Sequence, residues 1–308
     1  NTLIGGLTGD ALTTGGSNVA IGVLALSTED TGTRNVAIGY GALQALDYAG
    51  QGYNVAVGYE AGKALDTGTV NTLIGGLAGD ALVQGNSNVA IGHQALTTEV
   101  AGDRSVAIGL NALRYQTNAS TVDVYNVAIG YEAGAATTTA IKNLLIGGFA
   151  GDALTTGSYN VALGYGALSN ENENGNNVAI GHEALLIQRA GADGYNVAIG
   201  YEAGHDISTG VRNTLIGGKV GDALTTGQYN VAVGYEALGS EDVGNRGVAV
   251  GYQALYSQNN STSTDAMNTA IGFQAGYAIT TGVENTIIGA AAGDALTTGV
   301  RNVAIGYG

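Results

Sequence analysis

The stretch "NVAIGYEAG" at 126–134 recurs unchanged at 196–204 and, with one Ile-to-Val replacement, at 54–62. Its first five residues decide the fold. With substitutions they begin again at 1, 18, 35, 54, 71, 88, 105, 126, 143, 160, 177, 196, 213, 230, 247, 268, 285 and 302. The intervals run 17, 17, 19, 17 and then 17, 17, 21, 17, so units group in fours, and blocks open at 1, 71, 143, 213 and 285 with "NTLIGG" or a close variant. Residues 1–308 therefore read as a single repeat array, in which each unit buries its apolar side chains by stacking on its neighbours. The chain starts inside a motif and reads as a fragment of a longer polypeptide.

Each interval is too short for a helical hairpin and carries β-branched residues at fixed places followed by Gly, which predicts one coil of a solenoid. The expected fold class is all-β: a parallel β-solenoid, a flattened roll of about 17 coils with 17–21 residues each. Two short strands and two turns per coil fill that length, the second strand falling on segments such as "DALTTG" and "EALGS". A triangular helix of the hexapeptide acyltransferase kind needs three aliphatic positions per coil, and only one is constant here. The fourth position is always Ile, Val or Leu and the fifth always Gly, while the first is Asn except at Ser105 and Gly247. Stacked coils turn these positions into ladders about 4.8 Å apart, Asn hydrogen-bonding along the stack and Gly supplying positive φ or close backbone approach.

Composition agrees with an ordered array. The chain has 53 Gly and no Pro, Cys or Trp, yet 45% of it is hydrophobic and only 11% charged, too apolar for a solvated chain. Without cysteine there is neither a disulfide framework nor a thiolate metal site. A formal charge of −15 disfavours nucleic acid and anionic membrane surfaces as partners, and no apolar run has the length of a membrane span.

In "VAIG" both faces of the strand are apolar: Val127 and Ile129 point one way, Ala128 and Gly130 the other. Strands of this kind are buried twice. One face lines the roll, and the other calls for cover by another chain. The small Ala/Gly face suits close approach around an axis, so a parallel homo-oligomer is expected.

At this point the residues resemble known repeats. "SVAIG" at 105–109 and "SNVAIG" at 17–22 and 87–92 resemble the head repeats of trimeric autotransporter adhesins, and "NVAIGYEAG" and "NTLIGGLAGDAL" those of bacteriophage tail fibres. The resemblance covers the whole chain, although coils of 17–21 residues exceed the adhesin coil. It implies a left-handed parallel β-roll, a homotrimer around one axis, and an extracellular, cell-surface or virion location. It further implies a structural or adhesive role, as shaft or head of a fibre that attaches to a host cell-surface glycan or protein. A self-assembling extracellular filament is the alternative. An ice-binding solenoid is a further one, although "TTG" at 13, 155, 225, 280 and 297 leaves most coils without the flat threonine array such a face needs.

No catalytic, cofactor-binding or metal-ligating set is expected, and no enzyme activity. Glu60, Glu132 and Glu202 share one slot four coils apart, as do Asp10, Asp80, Asp152, Asp222 and Asp294; about 19 Å between repeats is too far for paired carboxylates to work on one bond. The acidic turns "STEDTG", "TTEVAG", "SNENENG" and "GSEDVG" read as solvated charged turns, short of the six to eight oxygens of a calcium site. Tyr columns follow the invariant Gly (Tyr40, Tyr59, Tyr131) and precede the Asn (Tyr53, Tyr125, Tyr195), where they shield the roll's edges or stack on sugars. Extra residues in the third coil of each block should bulge outward as loops. The longest, 114–125 and 256–267, supply the candidate receptor contacts Arg114, Tyr115, Gln116, Asn118, Tyr256, Gln258, Asn259 and Asn260.

Overall fold

The computed structural model describes residues 1–308 as two compact units, Asn1–Thr156 and Gly157–Gly308. The division falls within the "TTG" at 155–157, and the repeat period is the same on both sides of it. The fold is all-β and contains no helix. The first unit has nine strands of three residues, from Thr2–Ile4 to Leu144–Ile146, and the second nine more, from Val161–Leu163 to Val303–Ile305. Within each unit successive strands pair in parallel and in strict register, Val on Val, Ala on Ala and Ile on Ile, as in Val19–Ile21 with Val36–Ile38 and Val178–Ile180 with Val197–Ile199. The chain is therefore a parallel β-solenoid of about 18 coils.

Two backbone devices set the coil spacing. Gly130 has φ +143°, and a Cβ there would collide with the carbonyl oxygen of Gly147 in the next coil. The same holds for Gly22 against Gly39 and Gly200 against Gly217, so the column serves positive φ and close approach together. The second device is the Asn column. Asn54 is fully buried; its Nδ2 donates to the Gly68 carbonyl at 2.9 Å, closing its own coil, and its Oδ1 accepts the backbone N–H of Asn71 at 3.0 Å, joining the next. Asn213 repeats this with Gly227 and Asn230. The ladder thus runs chiefly through side chain and backbone, each bond contributing about 1 kcal/mol.

The interior reverses the expected facing of the strand. Ala20, Ala37, Ala128 and Ala198 are fully buried inside the roll, as are Ala25, Leu26, Ala42 and Leu43 from the turn segments that follow the strands. Val127 and Ile129 face outward and stay half-exposed. A roll this thin has room for a methyl group under the strand, which is why the small residue faces in and the β-branched pair faces out. The predicted second strand is also absent. Left-handed residues at the seventh and ninth positions, such as Glu60 at φ +53° and Leu43 at φ +48°, break extended backbone there. The segment is instead a run of turns, with Leu46 N–H donating to Leu43 and Gln44 N–H to Gly41.

Volume matching explains the four-coil block and the thrice-written "NVAIGYEAG". The block-opening coil places a larger residue on the inward position: Leu73, Leu145, Leu215 or Ile287. The preceding coil and the opening coil itself then carry Gly where the second and third coils of each block carry Leu. A Cβ on Gly62, Gly134 or Gly204 would sit 2.6, 2.7 or 2.8 Å from a Cδ1 of Leu73, Leu145 or Leu215. Each "YEAG" is thus the coil that makes room for the next "LIGG". Leu145→Ala should cost about 3 kcal/mol by opening a cavity, and Gly134→Leu should destabilise by overpacking. The double variant recreates the Ala/Leu arrangement of other coils, so chemical denaturation should find it more stable than the sum of the singles by about 1–3 kcal/mol.

Candidate functional site

The expanded third coils carry the candidate contact residues, and the structure turns four of the eight inward. Gln116, Asn118, Gln258 and Asn260 are buried, while Tyr115 and Asn259 are exposed and Arg114 and Tyr256 are intermediate. Arg114 lies 5.0 Å from the centre of the Tyr115 ring, and Tyr256 stacks on Tyr277 at 5.4 Å. The insertion is therefore half core and half loop. Its solvent-facing parts are 119–123 and 261–263, and it rejoins the ladder through bridges between Asp103 and Asp123 and between Asn245 and Asp265.

The inward half meets a buried carboxylate that the sequence reading placed in a solvated turn. Glu29, Glu99, Glu171 and Glu241, one in the second coil of each block, are all fully buried. Glu99 Oε1 accepts the N–H groups of Val100, Ala101, Gly102 and Asn118 at 2.8–3.1 Å; its Oε2 accepts Gln116 Nε2 at 2.8 Å and Asn118 Nδ2 at 2.9 Å. Glu241 is held alike by Gly244, Asn260 and Gln258. Neutral donors thus satisfy these carboxylates, as burial of a charge requires. The signal was present in the spacing, because Gln and Asn recur two residues apart at 116 and 118 and at 258 and 260, but only the coil-to-coil contact gives it meaning.

The same glutamines explain the two gaps in the Asn column. Ser105 and Gly247 open the two 21-residue coils. There Gln116 donates to Ser105 Oγ at 3.0 Å and accepts Asn126 Nδ2 at 2.9 Å, and Gln258 accepts Asn268 Nδ2 at 2.8 Å. A long amide from the inserted segment takes the place of the missing short one.

The 19-residue coils lack all or part of this filling: the coil 177–195 keeps a buried Gln188, which donates to Asn177 Oδ1 at 3.1 Å, and the coil 35–53 keeps neither residue. Leu46 and Tyr48 stand at the positions of Gln116 and Asn118, and Glu29 is left with the backbone N–H groups of Gly32 at 2.6 Å and Tyr48 at 3.3 Å. Burial holds the Glu29 carboxyl above its ordinary range, and Asp47 adds to the effect. Glu29, Asp30 and Asp47 each bring an oxygen within 4.8 Å of the others, which is half the donor set of a calcium site. In the third block Ala190 replaces the Asn, and a shallow cavity of 250 Å³ lies beside Glu171, Glu173 and Arg189. Burial likewise raises the Asp80 and Asp222 carboxyls.

Outside, the half-exposed Val/Ile face has two different edges. Residues just before the first position of each coil line one of them and hold six of the ten Lys and Arg: Arg34, Arg104, Lys142, Arg212, Arg246 and Arg301. Tyr53, Tyr125, Tyr195 and Tyr229 alternate with them, guanidiniums lying 5.3–5.8 Å from ring centres. The other edge follows the invariant Gly and carries Tyr59, Tyr131, Tyr201 and Tyr235, each followed by Glu. Its rings stack on one another, Tyr40 on Tyr59 at 5.6 Å and Tyr165, His182 and Tyr201 in series at 5.5 Å. Ring faces used in this way leave mainly edges to solvent, which favours the shielding role over a platform for sugars.

No helix is long and apolar enough to cross a membrane. Comparison with family profiles, characterised proteins and solved structures returned no match to this chain.

Two amide substitutions separate the buried glutamates. Glu99→Gln sets its NH₂ against the amide donors of Gln116 and Asn118 and should cost about 1–3 kcal/mol. Glu29→Gln relieves a buried charge and should raise the melting temperature at neutral pH. Because the folded carboxyl titrates above the unfolded one, wild type gains stability as pH falls through that raised value. The advantage of Glu29→Gln should therefore vanish near about pH 4, where the unfolded carboxyl also protonates. Melting curves of the three proteins across pH check both statements.

Proposed function

We propose that this chain is a length of an oligomeric surface fibre, three copies closing around their Val/Ile faces, of the kind built into phage tail fibres and trimeric adhesin heads and used for attachment to a cell surface. The observation that carries this is the outward face. In each unit the strands present two columns of β-branched or aliphatic side chains, with Ile74, Leu163, Ile216 and Ile271 some 37–40% exposed. Nine coils make that strip about 40 Å long and about 10 Å wide, on the order of 400 Å² in each unit. A continuous apolar surface of that size, in a regular strip, is of the kind that marks an interaction site. The inward Ala column supports the same reading, because it shows the roll to be filled without these residues. Light scattering should give about three times the 30.6 kDa chain mass, and a folded monomer at every concentration would overturn the proposal.

Attachment, in this reading, uses the exposed parts of the expanded coils. Segments 119–123 and 261–263 offer Ser, Thr and Asn-flanked backbone to solvent, above a core half that anchors them. Replacing both with shorter turns, while keeping Gln116, Asn118, Gln258 and Asn260, should leave the oligomer folded and weaken binding to the target cell. Retained cell binding by that folded variant would assign the loops to decoration.

A further inference from the structure

We infer that the two edges of the Val/Ile face form the seam between copies: the Arg/Tyr edge of one chain against the Tyr/Glu edge of the next, all chains running in the same direction without axial offset. This rests on the oligomer proposed above and adds how its members are oriented and which side chains meet.

The strands set the two edges apart. Because they are parallel and in register, their N-terminal ends all lie on one edge of the face and their C-terminal ends on the other. The two edges differ in charge. The first holds most of the cations of a chain whose formal charge is −15. The second holds Glu60 and Glu132 in the first unit, and Glu183, Glu202 and Glu236 in the second. Some of these charges are already paired within the chain: Glu284 bonds Arg301 on the first edge, and on the second Glu60 is bonded by Lys63 and Glu202 by Lys219.

Some cations of the first edge are also occupied, Arg104 by Asp123 and Arg246 by Asp265. Arg212 is different. It lies 5.8 and 5.5 Å from the ring centres of Tyr195 and Tyr229 and donates to the Tyr229 hydroxyl at 3.0 Å, with no carboxylate bonded to it. Glu236, on the opposite edge and in the next coil, accepts from Gln253 Nε2 at 2.7 Å and from Tyr235, both neutral. The chain thus holds an arginine without an acid and a glutamate without a base, one coil apart in height and separated by the width of the face.

Symmetry then selects the arrangement. Rotating a copy about an axis along the roll brings unlike edges together, Arg to Glu. Turning it end over end brings like edges together, Arg to Arg and Glu to Glu, and like charges across an interface oppose binding. A closed ring of copies related by pure rotation permits no axial slip. Arg212 of one copy and Glu236 of its neighbour then differ in height by one coil, about 4.8 Å, within reach of their side chains.

Charge reversal tests the seam. Arg212→Glu or Glu236→Arg alone should weaken association about tenfold or more, and the two together should restore it to within about threefold. Restoration inside one chain is ruled out by the width of the face. Orientation is read separately: with no native cysteine, Thr298→Cys carries a single spin label near one end of the second unit, which holds both seam residues. Parallel copies give a label-to-label distance set by the cross-section of that unit, antiparallel copies one set by its length. Single reversals without effect, or a double variant as weak as the singles, would overturn the seam and leave the oligomer standing. A length-scale label distance would overturn it too. A chain that stays monomeric would remove both.

Discussion

Everything in this protein depends on how closely one coil can lie on the next. At the invariant Gly the backbone turns with φ between +128° and +145°, and the neighbouring coil's carbonyl occupies the space where a Cβ would be. No other residue type satisfies both demands, which is why the column has no exception while the Asn column has two. Close stacking aligns the strands, and alignment in turn makes every position a ladder. A residue's neighbours are then mostly copies of itself, so the sequence repeats because its environment does.

A different kind of backbone strain appears at the corner before each Asn. Arg34, Tyr53, Val70, Tyr125, Arg212 and Glu284 all adopt φ between +52° and +67°, a conformation costing an ordinary residue about 1 kcal/mol. Glycine would avoid that cost, yet this corner has none. The compensation lies in what a side chain does there. The backbone N–H still reaches the previous coil, Val70 to Gly52 at 2.7 Å and Arg34 to Gly16 at 3.2 Å. A long side chain then runs along the roll to stack on its counterpart, as Arg34 does on Tyr53. Glycine is kept where an atom is in the way and excluded where a side chain contributes.

The period, the parallel register and the ladders were legible in the sequence, because each is a statement about spacing. The sequence reading misplaced what depends on thickness and on contacts between coils. In "VAIG" both faces are apolar, and nothing in the pattern says that the cavity under the strand admits Ala128 and excludes Val127. The second strand was expected because Leu43 and Glu60 carry no mark of left-handed backbone, whereas glycine at the same corners would have suggested it. The acidic turns misled for a related reason. "TTEVAG" looks solvated when read along the chain, and Glu99 becomes a core residue only when Gln116 and Asn118 arrive from the coil above.

That last contact shows how a solenoid accommodates irregularity. A coil of 21 residues cannot match a neighbour of 17 without spare backbone, and spare backbone inside a tight stack carries unpaired polar groups. Here the extra length folds inward first. Gln116 replaces the missing Asn amide, Asn118 joins it on Glu99, and only then does the chain loop into solvent. The buried glutamate acts as a hub of acceptors beneath the insertion, which lets the loop vary in sequence while its base stays fixed. Glu29 shows what remains when the insertion is shorter by two residues: the carboxylate persists, most of its donors are gone, and its protonation becomes easier. In the 21-residue coils the insertion and the buried glutamate therefore act as one device, whereas Glu171 is held by donors of its own turn, Asn172 N–H, Asn174 N–H and Asn174 Nδ2.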